Sequence, residues 1–138
     1  MSLKFVRKAD TPRAAPEERK TFTRRVGMTP LLSVDDKALV RVTHVRFEPG
    51  ARTYWHTHPG GQILYVTKGT GLTQTWDEKN EGKKAAVIRP EDVIYIPPGE
   101  KHWHGASPGD AMEHIAHSLG GDTDWLEEVS EEDYSNAS

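Results

Sequence analysis

Between Leu39 and Leu119 every strand-forming run is short, and nearly every connection carries glycine or proline. The β-rich runs are Leu39 to Glu48, Arg52 to His58, Gln62 to Thr67, Leu72 to Trp76, Ala85 to Arg89, Val93 to Ile96, His102 to Ala106 and Ala111 to Leu119. Pro49-Gly50, Pro59-Gly60-Gly61, Pro97-Pro98-Gly99 and Ser107-Pro108-Gly109-Asp110 separate several of them. Proline withholds a ladder donor and glycine opens turn conformations. Short strands at this spacing point to an all-β fold, an antiparallel barrel or sandwich. Lys68-Gly69-Thr70-Gly71 reads as a hairpin turn, Asp35-Asp36-Lys37 as a turn, and Asp77 to Lys84 as polar and exposed.

The polar weight lies in the two ends. Residues 1–21 read as a flexible or edge-strand arm, since Pro12, Pro16 and Glu17-Glu18-Arg19-Lys20 offer little to bury. Within it Lys4-Phe5-Val6 can add an edge strand, including to a neighbouring subunit. Residues 22–120 form the barrel, with Phe22 to Leu32 entering the sheet and Gly27 and Pro30 limiting any long regular strand. Residues 121–138 form an acidic tail. There Trp125, Leu126 and Val129 fall at roughly helical spacing, so one short helix or two helical turns over Thr123 to Asp133 should pack on the barrel, with Trp125 a packing residue.

A chain of 138 residues suffices for one domain with one core. Its formal net charge of -3 supplies no polycation for a phosphate backbone, so nucleic acid is not an expected partner. The chain has no apolar run near membrane-spanning length and no signal-peptide core at its start, so no membrane association and a cytoplasmic location are expected. Cysteine is absent, which removes disulfides and thiolates; any metal must be bound through nitrogen and oxygen.

Two stretches carry chemistry. In GARTYWHTHPGGQILYVTKG, Gly50 to Gly69, strand alternation puts His56 and His58 on one face, and a turn at Gly60-Gly61 lets Gln62 return to it. In Pro97 to Gly105, the Pro97-Pro98-Gly99 turn places His102 at the start of a strand, with His104 facing the same way. His102 joining His56 and His58 makes a common core for a first-row divalent ion, and Gln62 adds a neutral amide oxygen. Such a set leaves positions open for water or substrate, as a Lewis-acid or redox site needs. His104 is either an acid–base group or part of the hydrogen-bond network behind the ligands. His114, in phase with Ala116 and Ser118, is the more attractive catalytic candidate, while His117 faces the other way as polar surface. Alternation in Leu39 to Glu48 separates Arg41, Thr43, Val45 and Phe47 from Val40, Val42, His44 and Arg46, and leaves His44 without a functional case.

The two stretches resemble the two motifs of the cupin superfamily. The first family motif is glycine, five residues, histidine, one residue, histidine, three residues, glutamate, six residues, glycine. Gly50, His56, His58 and Gly69 match it, and Gln62 stands where glutamate is usual. In the second motif Pro97, Gly99 and His102 match, Glu91 replaces the opening glycine and Ala106 the closing asparagine. The resemblance implies an antiparallel double-stranded β-helix, the cupin or jelly-roll barrel, here with a short C-terminal helical segment.

FEPGARTYWHTHPGGQ followed by PPGEKHWHGASP is similar to small single-domain bacterial cupins that include manganese-dependent hydroxynitrile lyases. That resemblance implies a divalent ion held by His56, His58, Gln62 and His102, manganese first, with iron, zinc, nickel or copper as substitutes. It implies a pocket of Thr43, Val45, His104, His114 and Ser118 for a small-molecule substrate. The expected reaction cleaves an α-hydroxynitrile such as mandelonitrile to aldehyde and cyanide. His114 or His104 would accept or relay the proton, and Thr43 would contribute in a minor way to holding the cyanide. Ser118 lies where the lyases resembled carry a glutamine, which implies different substrate positioning. The rivals are a metal-dependent dioxygenase or isomerase using the same open positions, and a non-catalytic small-ligand-binding cupin. Small cupins commonly form homodimers or homotetramers, and either is expected here.

Overall fold

A computed structural model of the chain describes residues 3–35, 39–76 and 85–137. The turn expected at Asp35-Asp36-Lys37 lies partly outside the described residues, and the polar segment expected from Asp77 to Lys84 wholly outside them. After a 3-10 turn at Lys8–Asp10 come β1 (Glu17–Glu18), β2 (Phe22–Thr23), β3 (Arg25–Val34), β4 (Val40–Phe47), β5 (Arg52–Thr53), β6 (His56–Thr57) and β7 (Gln62–Gly69). They are followed by β8 (Gly71–Thr75), β9 (Ala86–Ile88), β10 (Val93–Ile96), β11 (His102–Ala106), β12 (Met112–Leu119), β13 (Asp124–Trp125) and the helix α1 (Glu131–Ala137).

The strands form two antiparallel sheets. The first has the order β1-β3-β4-β12-β7-β10. In the second, β11 is central: β8 runs along one edge with β9 beyond it, and β5 and β6 share the other, flanked by β2 and β13. This is the all-β, jelly-roll arrangement expected, with its short C-terminal helix. Val26, Val45, Phe47, Val66 and Met112 pack together and fill one end. The row Arg41, Ser118 and Gln62 lies at the opposite end of the first sheet. No helix among the described residues is long and apolar enough to cross a membrane.

Four expectations are corrected. Lys68-Gly69-Thr70-Gly71 does not close a hairpin, because β7 belongs to the first sheet and β8 to the second. The chain crosses between sheets at Gly69, whose φ is +76° and where a Cβ would collide with the Ala111 backbone. Thr70 N–H donates to Ala111 O and Ser107 N–H to Thr70 O, so the crossing is tied to the β11–β12 connection. Secondly, Gly27 does not interrupt β3, which runs ten residues; its regularity breaks only at Pro30, in a register shift between Pro30 and Leu32.

Thirdly, Arg52 to His58 is not one strand. Tyr54 N–H turns to Thr21 O and Trp55 N–H to Glu127 O, so β2 and β13, from opposite ends of the chain, divide the edge between them. Lastly, no helix spans Thr123 to Asp133. Trp125 lies in β13, paired with His56, and the helix starts at Glu131. A two-residue strand has too short a pattern to compete with helical spacing in the sequence.

A buried arginine clamps the tail. Arg52 donates through Nη1 to Gly50 O at 3.1 Å, and through Nη2 to Val129 O at 3.3 Å and Glu131 Oε1 at 3.0 Å. Its guanidinium lies 4.1 Å over the Tyr134 ring, and the Tyr134 hydroxyl donates to Ala106 O at 2.6 Å. Val129, Tyr134 and Ala137 thereby cover Trp55, Leu72 and Trp103 of the second sheet. Arg52→Met leaves two carbonyls without their donor, and is expected to lower unfolding free energy by about 2–4 kcal/mol. Tyr134→Phe should lower it by about 1 kcal/mol. Urea denaturation followed by tryptophan fluorescence reads both; unchanged midpoints would remove the clamp from the energetics.

Candidate metal centre

In-register pairing of β4, β12 and β7 lays their inward side chains out in rows. Arg41, Ser118 and Gln62 form one row, Thr43, Ala116 and Leu64 the next, and Val45, His114 and Val66 a third. From the other sheet β11 presents His102 and His104, with His102 paired to His56 of β6. The His58 carbonyl accepts from Gly61 N–H at 3.2 Å and from Gly99 N–H at 3.0 Å. One carbonyl thus latches both motif turns together. Gly61 has φ +90°, and a Cβ there would lie 2.7 Å from Ile96 O, so the turn that returns Gln62 to the cavity requires glycine.

Ring nitrogens of His56, His58 and His102 all lie within 4.8 Å of one another, and all three residues are buried. His56 Nδ1–H donates to Tyr54 O at 2.8 Å and His102 Nδ1–H to Glu100 O at 2.9 Å. Thr123 Oγ1 sits 3.3 Å from His58 Nδ1, and His58 Nε2 has no partner among the described residues. In neutral rings whose Nδ1 carries the proton, Nε2 is a bare lone pair, the arrangement that backbone carbonyls impose on ligating histidines.

Gln62 Nε2 donates to Ser118 Oγ at 3.1 Å, which turns the amide oxygen toward the histidines. Gln62 Oε1 is 3.1 Å from His102 Nε2. Both atoms are acceptors in this tautomer, so they repel unless a proton or a cation lies between them. Burial holds the His102 pKa down to about 4, which opposes the proton. Two ligand atoms at about 2.1 Å from one ion and at right angles lie about 3 Å apart. The donor set therefore fits a divalent cation.

Beside this cluster, His114 Nε2 and His104 Nδ1 are 3.0 Å apart, and both side chains are buried. One ring must donate to the other. The two remaining nitrogens, His104 Nε2 and His114 Nδ1, have no partner among the described residues. The histidines border a cavity of about 440 Å³, whose lining includes Phe22, Met28, Thr43, Val45, Ser118 and Trp125.

Burial pushes all five imidazoles down. His58, His102 and His114 fall to about 4, and His56 and His104 well below the ordinary histidine value; at His56, His58 and His104 the neighbouring imidazoles of the cluster add to the effect. Unfolded histidines titrate near 6.5. Between pH 6.5 and 4 the unfolded chain therefore binds more protons than the folded one. Stability of the ion-free protein is fully present above that range and falls as pH drops through it. Denaturant midpoints should show a loss of at least about 2 kcal/mol from pH 7 to pH 5; a flat profile would contradict neutral rings.

The cavity brings together Thr43, Val45, His56, His58, Gln62, His104, His114 and Ser118, and His102 stands in the adjoining triad. His44 lies on the face of β4 turned away from the cavity, itself buried, where its Nε2–H donates to Glu113 Oε1 at 3.0 Å. His117 also faces outward, half-buried rather than open surface. Residues that the sequence did not assign to the site complete the walls. Trp125, expected only to pack, lines the cavity with its ring 4.7 Å from His56 and 5.5 Å from Phe22. Arg41 enters the cavity by its phase with Thr43 and Val45, a signal present in the sequence. Thr123 carries no local signal; its position follows from β13 pairing with β6.

The Cupin domain family matches residues 43–116. An (R)-mandelonitrile lyase of Granulicella tundricola is 50% identical over 116 residues, spanning 82% of this chain and 85% of the relative. A solved structure of a cupin-like protein from Thermotoga maritima is 42% identical with a TM-score of 0.79, over 91% of this chain and 93% of that one. The polyketide cyclase RemF from Streptomyces resistomycificus, at 19% identity, shares the fold with a TM-score of 0.67 over 97% of this chain and 92% of its own.

Proposed function

The chain belongs to the cupin family, and from that membership and the histidine cavity we propose that it is a metal-dependent hydroxynitrile lyase. One observation carries this function: two unlike histidine sets meet in one cavity, three presenting nitrogens to a common point and two sharing a proton. The 50% identity to an (R)-mandelonitrile lyase supports the same chemistry.

His56, His58, His102 and Gln62 would hold the ion. Manganese is the ion proposed, from the resemblance to manganese-dependent hydroxynitrile lyases; a thiolate-free set of imidazoles and an amide oxygen also accepts iron, zinc, nickel and copper, which purification can introduce. The ion supplies Lewis-acid polarisation of the substrate's hydroxyl. With the shared proton on His104 Nδ1, His104 Nε2 is a bare base that takes the hydroxyl proton, while the shared proton moves to His114 Nε2. The carbon–cyanide bond breaks with its electron pair leaving on cyanide, the aldehyde carbonyl forms, and the pair returns one proton to give HCN. Thr43, which lines the cavity, would contribute in a minor way to holding the leaving cyanide, and Val45 and Ser118 would shape the wall.

Because Gln62 is neutral, the ligand set leaves the ion its full charge. Gln62→Glu keeps a ligand oxygen and adds a negative charge, so kcat is expected to fall roughly tenfold at full metal occupancy; unchanged activity would count against a Lewis-acid role. Assembly as a homodimer or homotetramer belongs to the same proposal, supported by exposed Val93 and Tyr95 on β10, the edge strand of the first sheet, and by exposed Tyr65 beside them on β7; a cytoplasmic location is proposed with it. Manganese-loaded protein should release cyanide from mandelonitrile equally in air and under anaerobic conditions. Turnover that stops without oxygen would identify a dioxygenase instead.

A further inference from the structure

Arg41 starts the row that continues through Ser118 to Gln62 across β4, β12 and β7. It is the one lysine or arginine among the described residues that line the cavity. Its Nη2 donates to Asp122 Oδ1 at 2.6 Å, a short charge-assisted hydrogen bond. Arg41 is 47% exposed and Asp122 87%, so the pair stands in water at the cavity mouth, where an ion pair contributes little and an incoming anion can displace it.

The row also sets a length. Neighbouring strands lie about 4.8 Å apart, so the Arg41 and Gln62 backbones are about 10 Å apart. Ser118, between them, has a short side chain already engaged by Gln62 Nε2. The space along the row is left for a substrate, with the proposed reacting end at the Gln62 side and a cation at the other. Phe22, Met28 and Trp125 supply apolar walls beside it.

We propose that Arg41 binds the carboxylate of an anionic substrate, and that Asp122 occupies the carboxylate's place when the cavity is free. This deepens the lyase function and rests on it for the reaction: the substrates are small aldehydes that carry a carboxylate on the far side of a short chain or single ring, and their cyanohydrins. An uncharged aldehyde of the same size lacks the far contact and binds less well.

The test uses manganese-loaded protein and two probes of matched size, 4-formylbenzoate and 4-methylbenzaldehyde, with binding measured by calorimetry and cyanide addition measured separately. Wild type is expected to bind the carboxylate probe roughly tenfold more tightly. In Arg41→Met the ratio should fall to about one. In Asp122→Asn, where the competing carboxylate is gone, it should widen several-fold. Equal binding in wild type, a preference that survives Arg41→Met, or a preference that Asp122→Asn leaves unchanged or narrows overturns the assignment. Thermal melts of both variants check that they fold, and Asp122 is exposed enough for its substitution to be benign. Binding is read without turnover. A protein that prefers the carboxylate and transfers no cyanide therefore sinks the lyase chemistry and keeps the Arg41 site, while the reverse result does the opposite.

Discussion

His102→Ala is expected to fold, to lose its divalent ion and to release no cyanide above background. His102 is fully buried at the meeting point of the two motifs, with Nδ1 fixed by Glu100 O and Nε2 facing Gln62 Oε1. Its removal takes away one of three imidazoles and leaves the amide without its neighbour. Loss of a residue that merely orients a ligand weakens metal binding about 10–100-fold, so loss of a ligand should exceed that. Elemental analysis after dialysis should find the wild type loaded and the variant empty. Melting temperature gives an independent readout. Manganese should raise it in the wild type, since an ion that binds only the folded state stabilises by mass action, and should leave the variant unmoved. Full metal retention by His102→Ala would remove the triad from the site.

The second large effect concerns the other two histidines. His104→Phe and His114→Phe keep a ring of similar bulk in each buried place and remove the nitrogens. Each is expected to lower kcat about 10²–10⁴-fold with metal content unchanged, the range for loss of a positioned acid or base. The double variant should be no worse than the more damaged single one, because in the proposed mechanism the two rings, 3.0 Å apart, carry one proton together. Additive losses would mean that the rings act separately. Loss of metal from either variant would mean that the pair supports the ligands rather than the proton.

How far the site can be read from the sequence depends on the range of the interactions that build it. His56, His58, Gln62 and His102 are legible because strand alternation and the Gly60-Gly61 and Pro97-Pro98-Gly99 turns act over a few residues. His104 and His114 can be placed on inward faces by phase, but not next to each other; that contact depends on which sheet each strand joins. The same limit hides the crossing at Gly69. Turn residues announce a reversal without saying whether the chain returns to its own sheet, and here the backbone around Ala111 decides it. Trp125 is the clearest loss. Trp125, Leu126 and Val129 suggest a helix locally, whereas a two-residue pairing with His56 and Thr57 puts the indole in the cavity wall. Arg41 stood in plain phase with Thr43 and Val45, and only its ion pair with Asp122, 81 residues away in sequence, marks it as a group at the cavity mouth.

The most direct measurement is cyanide release from mandelonitrile by protein stripped of metal with a chelator, before and after one equivalent of manganese is returned. Stripped protein should release cyanide no faster than buffer, and one equivalent per chain should restore turnover, with His102→Ala unresponsive to the same addition. Equal release by stripped and reloaded protein, or none from protein shown to carry its manganese, would contradict a metal-dependent lyase.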